Sequence, residues 1–243
     1  MLENSHHNYV ALDYHENTLR INNHGKYDPH NEYKVYPSAK VVSLDAMSPE
    51  TSDFTRILSR RESCRSFSPD GISLKQLGQL LSLSCGLNHR KQNEVAFRTY
   101  ASAGARYPIE IYPAILHSDD LEQGIYHFNV LDNTLELIQT GNFTAELNAF
   151  YGNQPFDNVP CYLLFSMVYE RTMQKYGDRG YRFIYLDAGH MSQNLYLVAE
   201  YLGLGAVAIG GGSASDEEID YLLRINRMEE RFFYGVAVGK VSG

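Results

Sequence analysis

The sequence predicts an α+β fold in which helices flank a mixed or antiparallel central sheet. Helix and strand patterns occur along the chain without strict alternation. Residues 161–168 are apolar throughout, which is typical of a strand buried on both faces. Residues 181–202 carry apolar side chains at helical spacing, so we expect a long central helix.

The chain is long enough for one domain with a substantial core. It has 243 residues, of which 44% are hydrophobic and 21% are charged. Residues 1–50 are rich in His, Asn, Tyr and Pro with weak periodicity, which predicts an irregular arm with at most one short strand, packed on the main domain. Residues 51–243 carry the helix and strand patterns and are expected to form that domain.

Charge and composition exclude several classes of function. The net charge is −8 without a basic stripe, so nucleic-acid binding is not expected. No apolar run reaches the roughly 20 residues that span a bilayer, and the first residues lack an apolar signal segment. The histidines fit no compact set of metal ligands, so no metal is expected. The cysteines are few and widely spaced, which indicates structural thiols in the reducing cytoplasm: Cys64, Cys85 and Cys161.

Capping residues and alternating apolar residues define the other elements. Expected helices cover residues 52–58, 73–85 with Ser73 and Gln76 as a capping box, and 215–223 with Ser215 and Glu218 as a second box. Expected strands cover residues 109–116, 124–130, 134–138, 161–168, 232–239 and the residues before Gly210, with a turn at Asp132-Asn133.

The long helix is apolar on nearly all faces and ends at Gly203, which places it in a core or at a subunit interface. Its polar residues leave several roles open. They either hydrogen-bond across the interface, orient the segment that precedes the helix, or include an Asp187–His190 catalytic pair, whereas a hydrogen-bonded buried histidine is the simpler alternative. These residues are Asp187, His190, Gln193 and Asn194.

An arginine segment follows the first expected helix. Arg61, Ser63 and Arg65 alternate, so an extended backbone projects them to one side. Guanidinium and hydroxyl groups bind phosphate. A fixed cation also stabilises the negative charge that a cofactor ring gains when it is reduced. The alternative is a solvated basic turn in which arginine complements the helix dipole.

Two loops offer small residues beside expected strands. Ser102 and Gly104 precede one strand, and Gly210 and Gly211 follow another. Small residues let backbone N–H groups approach a flat ring closely. An ordinary Gly/Pro loop that enters a strand is the alternative for the first pair.

Lys175 and Tyr176 are the strongest catalytic candidates. Removal of a carbon-bound proton needs a base whose pKa lies near the working pH. Free lysine titrates near about 10.4, so burial and the neighbouring cations of Arg179 or Arg182 would have to lower its pKa. Adjacent helical residues point about 100° apart, so both reach one substrate only if the helix ends there. The alternative is an exposed lysine beside a packing tyrosine.

Together these segments resemble the flavin-binding nitroreductase family and, within it, the SagB-type azoline dehydrogenases. The similarity covers about residues 52–239 and departs from the family pattern at Ala101, usually proline, and at Gly212, often aromatic. It rests on motifs that occur in the family's order: Arg60-Arg61-Glu62-Ser63-Cys64-Arg65, Ser102-Ala103-Gly104-Ala105-Arg106-Tyr107-Pro108, Lys175-Tyr176-Gly177-Asp178-Arg179-Gly180-Tyr181-Arg182, Gly189-His190-Met191-Ser192-Gln193-Asn194 and Gly210-Gly211.

The resemblance implies a nitroreductase-like fold and a homodimer with the long helix at its interface and FMN in two interface sites. By position, the FMN ligands would be Arg61, Ser63 and Arg65 at the phosphate, ribityl chain and pyrimidine, Ser102 and Gly104 at the isoalloxazine from the same or the second subunit, and Gly210 and Gly211 near flavin N5. Lys175 and Tyr176 match the family's catalytic pair.

The function implied is FMN-dependent oxidation of thiazoline or oxazoline rings to azoles in a ribosomally made peptide, beside a cyclodehydratase that makes the azoline. One alternative is an FMN enzyme of the same fold that reduces nitro compounds, quinones or alkenes with NAD(P)H. A second is a non-catalytic scaffold in a peptide-modifying complex. The pair of Lys175 and Tyr176 favours the first function.

Overall fold

The computed structural model describes residues 9–18, 33–44, 48, 51–92, 95–152, 156–211 and 215–242. These residues form an α+β fold, as predicted. The helices are α1 (Val10–Asn17), α2 (Asp53–Arg60), α3 (Leu74–Cys85), α4 (Thr144–Phe150), α5 (Glu170–Tyr176), α6 (Arg179–Tyr201) and α7 (Asp216–Leu222). The strands are β1 (Leu87–Gln92), β2 (Val95–Arg98), β3 (Ile109–Ile115), β4 (Gly124–Asn129), β5 (Thr134–Thr140), β6 (Cys161–Met167), β7 (Leu204–Ile209) and β8 (Arg231–Lys240).

A six-stranded antiparallel sheet with the order β5-β4-β3-β6-β8-β7 forms the centre of the fold. Every residue of β6 is buried, which confirms the prediction of burial on both faces. Alternate side chains explain this burial, because Leu163 and Phe165 join the hydrophobic cluster under α3 and α6. Tyr162 and Leu164 point the other way, into the cluster under α4 and α7.

The predicted long central helix is α6, which ends before Gly203 in a left-handed conformation. Ile184, Met191 and Leu195 bury its inner face against the sheet. The prediction of an apolar surface nearly all round is wrong on the outer face. An exposed stripe, named here the α6 stripe, contains Arg182, Leu186, Gly189 and Gln193.

The predicted capping box is confirmed at one helix and is wrong at another. Ser73 and Gln76 form the predicted capping box at α3. At α7, the hydroxyl of Ser215 accepts the backbone N–H of Glu217. The predicted box with Glu218 is therefore wrong, because the Glu218 N–H donates to the Ser215 carbonyl instead.

The prediction of an irregular arm is wrong for its first described residues, which form α1. An eight-residue helix with no side-chain cap has little stability of its own, so its contacts to the main body must hold it. The Ala11 N–H donates to Asp178 at 3.0 Å, and His15 Nδ1 lies 2.9 Å from the Tyr181 hydroxyl. Residues 33–44 contain no strand. Residues 19–32, with their histidines, lie outside the described residues, and the division of the chain at residue 50 stays a prediction.

The hairpin β1–β2 and the short helices α4 and α5 were not predicted, because their sequences lack clear periodicity. No helix among the described residues is long and apolar enough to cross a membrane. In the same residues, no group of His, Cys, Asp or Glu side chains has an arrangement that fits a metal ion. The cysteines are free thiols, and burial raises the pKa of Cys85 to about 12.

Candidate active site

The arginine segment lies between α6 and the sheet edge at β7. Its backbone is extended, and the Cys64 N–H donates to the Ala206 carbonyl of β7 at 3.0 Å. A Cβ atom on Gly205 would lie 2.5 Å from the Cys64 Sγ atom, so glycine at that position permits the close approach. The edge of β7 therefore holds this segment in place through Cys64.

Tyr196 of α6 joins the first two of these side chains. The guanidinium carbon of Arg61 lies 5.4 Å from the centre of the Tyr196 ring, and the Ser63 hydroxyl lies 3.3 Å from the Tyr196 hydroxyl. The Tyr196 oxygen also accepts the Ala208 N–H at 2.7 Å. Arg65 is exposed and donates to the Ser63 carbonyl at 3.4 Å.

Gly210 and Gly211 follow β7, whose Ala208 N–H donates to Tyr196. A Cβ atom on Gly210 would meet no atom closer than Tyr234 Cε2 at 3.9 Å, so space is open above this backbone. Gly212 lies outside the described residues. We define the arginine half-site as the set formed by Arg61, Ser63, Arg65, Gly210 and Gly211.

Lys175 and Tyr176 are the last two residues of α5. Gly177 follows with φ +58°, so the helix ends at the pair, as the prediction that both side chains reach one substrate requires. A Cβ atom on Gly104 would lie 2.6 Å from the Tyr176 hydroxyl and 3.0 Å from Lys175 Nζ. We define the lysine half-site as the set formed by Ser102, Gly104, Lys175 and Tyr176.

Two glycines of the motif that contains Lys175 and Tyr176 shape the chain. Gly177 supplies the left-handed conformation after α5. A Cβ atom on Gly180 would lie 3.0 Å from the Cα atom of Met173, so this glycine lets α5 and α6 pack closely. Together they direct Lys175 and Tyr176 towards the loop that contains Gly104.

Asp187 of α6 fixes that loop. Its carboxylate is 2% exposed and accepts hydrogen bonds from the Ser102 hydroxyl and from the Ala103 N–H, the latter at 3.1 Å. The Ser102 oxygen accepts the Tyr107 N–H at 2.9 Å. Burial raises the pKa of Asp187, while the bonds from Ser102 and Ala103 oppose that rise. The hydrogen of Ser102 is thus used within the chain, and a cofactor would meet the backbone of this loop.

His190 and Asn194 extend the same contact along α6. His190 Nδ1 lies 3.0 Å from the Ala101 carbonyl oxygen, and Asn194 donates to the Thr99 carbonyl at 3.2 Å. A carbonyl oxygen only accepts, so Nδ1 of His190 carries the hydrogen. The expectation of a buried histidine is wrong, because His190 is exposed. We call Asp187, His190 and Asn194 the α6 clamp.

The two half-sites lie on opposite flanks of α6. Asp187 and Tyr196 are nine residues apart, or about two and a half helical turns and roughly 13 Å along the axis. Tyr176 packs against Phe183 on the Asp187 flank, with ring centres 5.0 Å apart. The α6 stripe lies between the flanks, so within one chain the half-sites face away from each other.

A model of the Nitroreductase family matches residues 58–240. The chain belongs to the nitroreductase family. This membership, together with the observed sheet and helices, confirms the predicted nitroreductase-like fold. The sequence left the roles of the α6 clamp residues open, and the structure shows that they bind the loop of residues 99–103 from one helical face.

Three known proteins show how this family member relates to others. MJ1384 of Methanocaldococcus jannaschii, named as a candidate nitroreductase, is 34% identical over 170 residues, which are 70% of this chain and 83% of MJ1384. The microcin B17-processing protein McbC of Escherichia coli is 32% identical over 113 residues, 44% of this chain and 42% of McbC. A chain of the E. coli microcin synthetase McbBCD complex with truncated pro-MccB17 has the same fold, with a TM-score of 0.72, 22% identity, and coverage of 88% of this chain and 80% of that one.

The match to McbC agrees with the SagB-type resemblance seen in the motifs. Membership of this family makes the chain an oxidoreductase, which confirms the general class of the predicted activity. The individual roles assigned to the two half-sites stay predictions, and the structure adds two residues to them. Asp187 and Tyr196 each hold one half-site in place.

Proposed function

We propose that this chain is an FMN-dependent dehydrogenase that oxidises thiazoline or oxazoline rings to azoles in a ribosomally made peptide. The observation that carries the proposal is the convergence of Lys175 and Tyr176 on Gly104 at the end of α5. This arrangement presents a base and a hydroxyl to one small volume. The names of McbC and of the microcin synthetase complex support a peptide as the substrate.

A second copy of the chain completes the site in this proposal. The half-sites lie on opposite flanks of α6, and the α6 stripe between them is exposed. In a two-fold dimer that buries the stripe, the arginine half-site of one copy faces the lysine half-site of the other. The dimer then holds two equal sites, each with residues from both subunits.

The arginine half-site supplies donors that fit FMN. A guanidinium stacked on a ring still offers N–H groups to phosphate, and Arg61 and Ser63 lie side by side on Tyr196. Arg65 would lie at the pyrimidine, where a cation favours negative charge. The open space above Gly210 fits a ring edge that hydrogen-bonds to backbone. When bound, FMN would accept the hydride from the azoline carbon, and dioxygen would reoxidise the reduced flavin.

The lysine half-site would handle the proton. The azoline loses one hydrogen as a proton and one as a hydride, and the ring gains a double bond. Lys175 Nζ would take the proton from the carbon next to the one that loses the hydride, while the Tyr176 hydroxyl hydrogen-bonds to the ring or to the lysine. Lys175 is exposed in one chain, so the second copy and the peptide would cover it.

The substrate requires a partner enzyme. An azoline ring forms when a cysteine, serine or threonine side chain attacks the preceding amide and water is lost, which is cyclodehydratase chemistry. We propose a complex with such an enzyme in the cytoplasm. The match in fold to a chain of the McbBCD complex supports this assembly.

Reduction of nitro compounds or quinones with NAD(P)H is the second candidate. The longer match to MJ1384, whose name is that of a candidate nitroreductase, favours it. The two functions differ in the direction of electron flow, because the dehydrogenase takes electrons from a peptide and the reductase takes them from NAD(P)H. A non-catalytic scaffold would transfer electrons in neither direction.

The test uses the purified full-length chain loaded with FMN. A synthetic peptide with one internal thiazoline is incubated with the enzyme in air, and mass spectrometry follows the loss of two hydrogens while hydrogen peroxide is assayed. We expect conversion to the thiazole peptide with one peroxide per ring. Oxidation of NADPH with a nitroaromatic, without conversion of thiazoline, would establish the reductase instead. A chain that cannot be loaded with FMN yet retains a cyclodehydratase would indicate the scaffold.

A further inference from the structure

A cavity of about 940 Å³ lies between the arm helix α1 and the first half of α6. Ala11 and Tyr14 of α1 form its outer wall, and Tyr185 and Phe233 form its inner wall. Gly210 of the arginine half-site lies on its border. The cavity is therefore continuous with the point where the proposed flavin edge lies, and part of its wall comes from the arm.

Hydrogen bonds and ion pairs hold the arm wall in place. His15 is 3% exposed, and its Nδ1 atom lies 2.9 Å from the Tyr181 hydroxyl. The Tyr181 hydroxyl lies 2.9 Å from that of Tyr185, so three side chains form one connected row from α1 to α6. Glu16 of α1 also pairs with Arg231 of β8. The wall is thus a defined surface and not a loose cover.

The lining is rich in aromatic and apolar side chains, and the charged residues Asp178 and Arg182 also border the cavity. The rings of Tyr185 and Phe233 lie with centres 5.2 Å apart, and Tyr14 packs edge-on to Tyr181 at 6.4 Å. Burial and the nearby arginines lower the pKa of His15 to about 4, so its ring is neutral at physiological pH. Burial and Asp220 raise the pKa of Asp216, which also lines the cavity, to about 7.

We propose that this cavity binds the stretch of the substrate peptide next to the reacting ring, a stretch with planar or apolar side chains. The inference rests on the proposed function, because Gly210 marks the flavin edge only in that proposal. The volume lies near the upper end of the roughly 300–1,000 Å³ of ligand sites, more than one five-membered ring fills. The arm thereby selects which peptides the site accepts.

The test fills the cavity from the arm. Ala11→Trp places a large ring in it, and Tyr14→Ala removes part of its outer wall. The matched control is Asp13→Ala, an exposed residue of α1 that does not border the cavity. The probes are a fluorescein-labelled hexapeptide with one thiazole between two phenylalanines, its thiazoline precursor, and an N-acetyl thiazoline methylamide that has a single ring.

For both cavity variants we expect the dissociation constant of the thiazole hexapeptide, measured by fluorescence anisotropy, to rise about tenfold. The ratio of kcat/KM for the thiazoline hexapeptide to that for the single ring should fall by a similar factor. The Asp13→Ala variant should match the wild type in both. Circular dichroism and FMN content report whether each variant folds and keeps its cofactor.

Three outcomes would overturn the inference: unchanged peptide binding in both variants, an equal loss for the hexapeptide and the single ring, or loss of FMN from the cavity variants, which would assign the cavity to the cofactor. The proposed function fails separately. If the wild type oxidises neither thiazoline probe but binds the thiazole hexapeptide in a manner sensitive to Ala11→Trp, peptide binding stands without the dehydrogenase.

Discussion

The two flanks of α6 hold their functional groups in different ways. On the Tyr196 flank, Arg61 lies over a ring and Ser63 shares one hydroxyl contact, and neither contact uses an N–H group of Arg61. On the Asp187 flank, the α6 clamp fixes the backbone of residues 99–103 by hydrogen bonds. The contacts on the Tyr196 flank leave hydrogen-bond donors available to a ligand. The contacts on the Asp187 flank restrict the conformation of the loop.

This difference matches what binding and chemistry each require. A phosphorylated cofactor needs donors that are not already used, and stacking provides support without consuming them. Proton removal needs reacting atoms held in fixed geometry, which hydrogen bonds to the backbone provide. Changes in the arginine half-site should therefore affect cofactor binding, and changes in the lysine half-site should affect turnover.

Replacement of Lys175 by alanine should have the largest effect. It removes the proposed base, and general base catalysis contributes about 10²–10⁴-fold. We expect kcat for a thiazoline peptide to fall by that factor while the flavin spectrum and FMN content stay the same. The control is Lys75→Ala, because Lys75 is an exposed lysine of α3, far from Lys175 in the sequence. Loss of FMN from Lys175→Ala would place the lysine among the cofactor ligands.

Replacement of Arg61 by alanine should have the second-largest effect, and it should change the affinity for FMN and not kcat. Loss of a hydrogen bond to a charged group costs about 1.5–3 kcal/mol, so we expect the FMN dissociation constant to rise roughly 10- to 100-fold. Flavin fluorescence measures that constant, and kcat at saturating FMN separates binding from turnover. Arg60→Ala, the exposed neighbour at the end of α2, serves as the control. Equal FMN affinity in both variants would remove Arg61 from the binding site.

Replacement of Gly104 by alanine tests the contact between the loop and the catalytic pair. The new Cβ atom would meet the Tyr176 hydroxyl at 2.6 Å, and the φ of +61° costs a side chain about 1 kcal/mol. We expect kcat to fall about tenfold as the pair is displaced, with FMN affinity less affected. Gly78→Ala in α3, where a Cβ meets no atom within 4 Å, should keep full activity. An unchanged kcat in Gly104→Ala would show that the pair adapts without loss.

Replacement of Asp187 by asparagine should have the smallest effect. The amide oxygen still accepts the Ala103 N–H, but the bond from the Ser102 hydroxyl loses its charged acceptor. We expect kcat to fall only a few-fold. A double-mutant cycle with Ser102→Ala should give a coupling of about 0.5–3 kcal/mol in unfolding free energy, measured by urea titration. Full additivity would mean that Asp187 and Ser102 do not act together.

Elements with strong internal patterns were predictable, and elements that depend on distant partners were not. The apolar run of β6 and the helical spacing of α6 each indicate their burial directly. Helix α1 has no such signal, because its stability comes from Asp178 and Tyr181, more than 160 residues away. The hairpin β1–β2 was missed for a different reason, because its sequence lacks clear periodicity although its two strands pair with each other.

Prediction of the site residues from the sequence has the same limit. Residue types and spacing predicted that Lys175 and Tyr176 act as a pair, and this role stays a prediction although α5 ends at Tyr176. The sequence alone indicated no role for the glycines at 177 and 180, which turn the chain and let helices pack. The partner of Ser102 is 85 residues away in sequence, so only the fold reveals that its hydroxyl serves Asp187.

We propose that each site combines the arginine half-site of one subunit with the lysine half-site of another. The most direct measurement uses a mixed dimer, in which one differently tagged subunit carries Arg61→Ala with Arg65→Ala and the other carries Lys175→Ala. After purification on both tags, one of the two sites in such a dimer has no substitution. At an FMN concentration too low to load the arginine variant, we predict about half of the wild-type rate of thiazoline oxidation per mixed dimer, whereas each parent homodimer is nearly inactive. An inactive mixed dimer would show that both half-sites serve one site within the same chain.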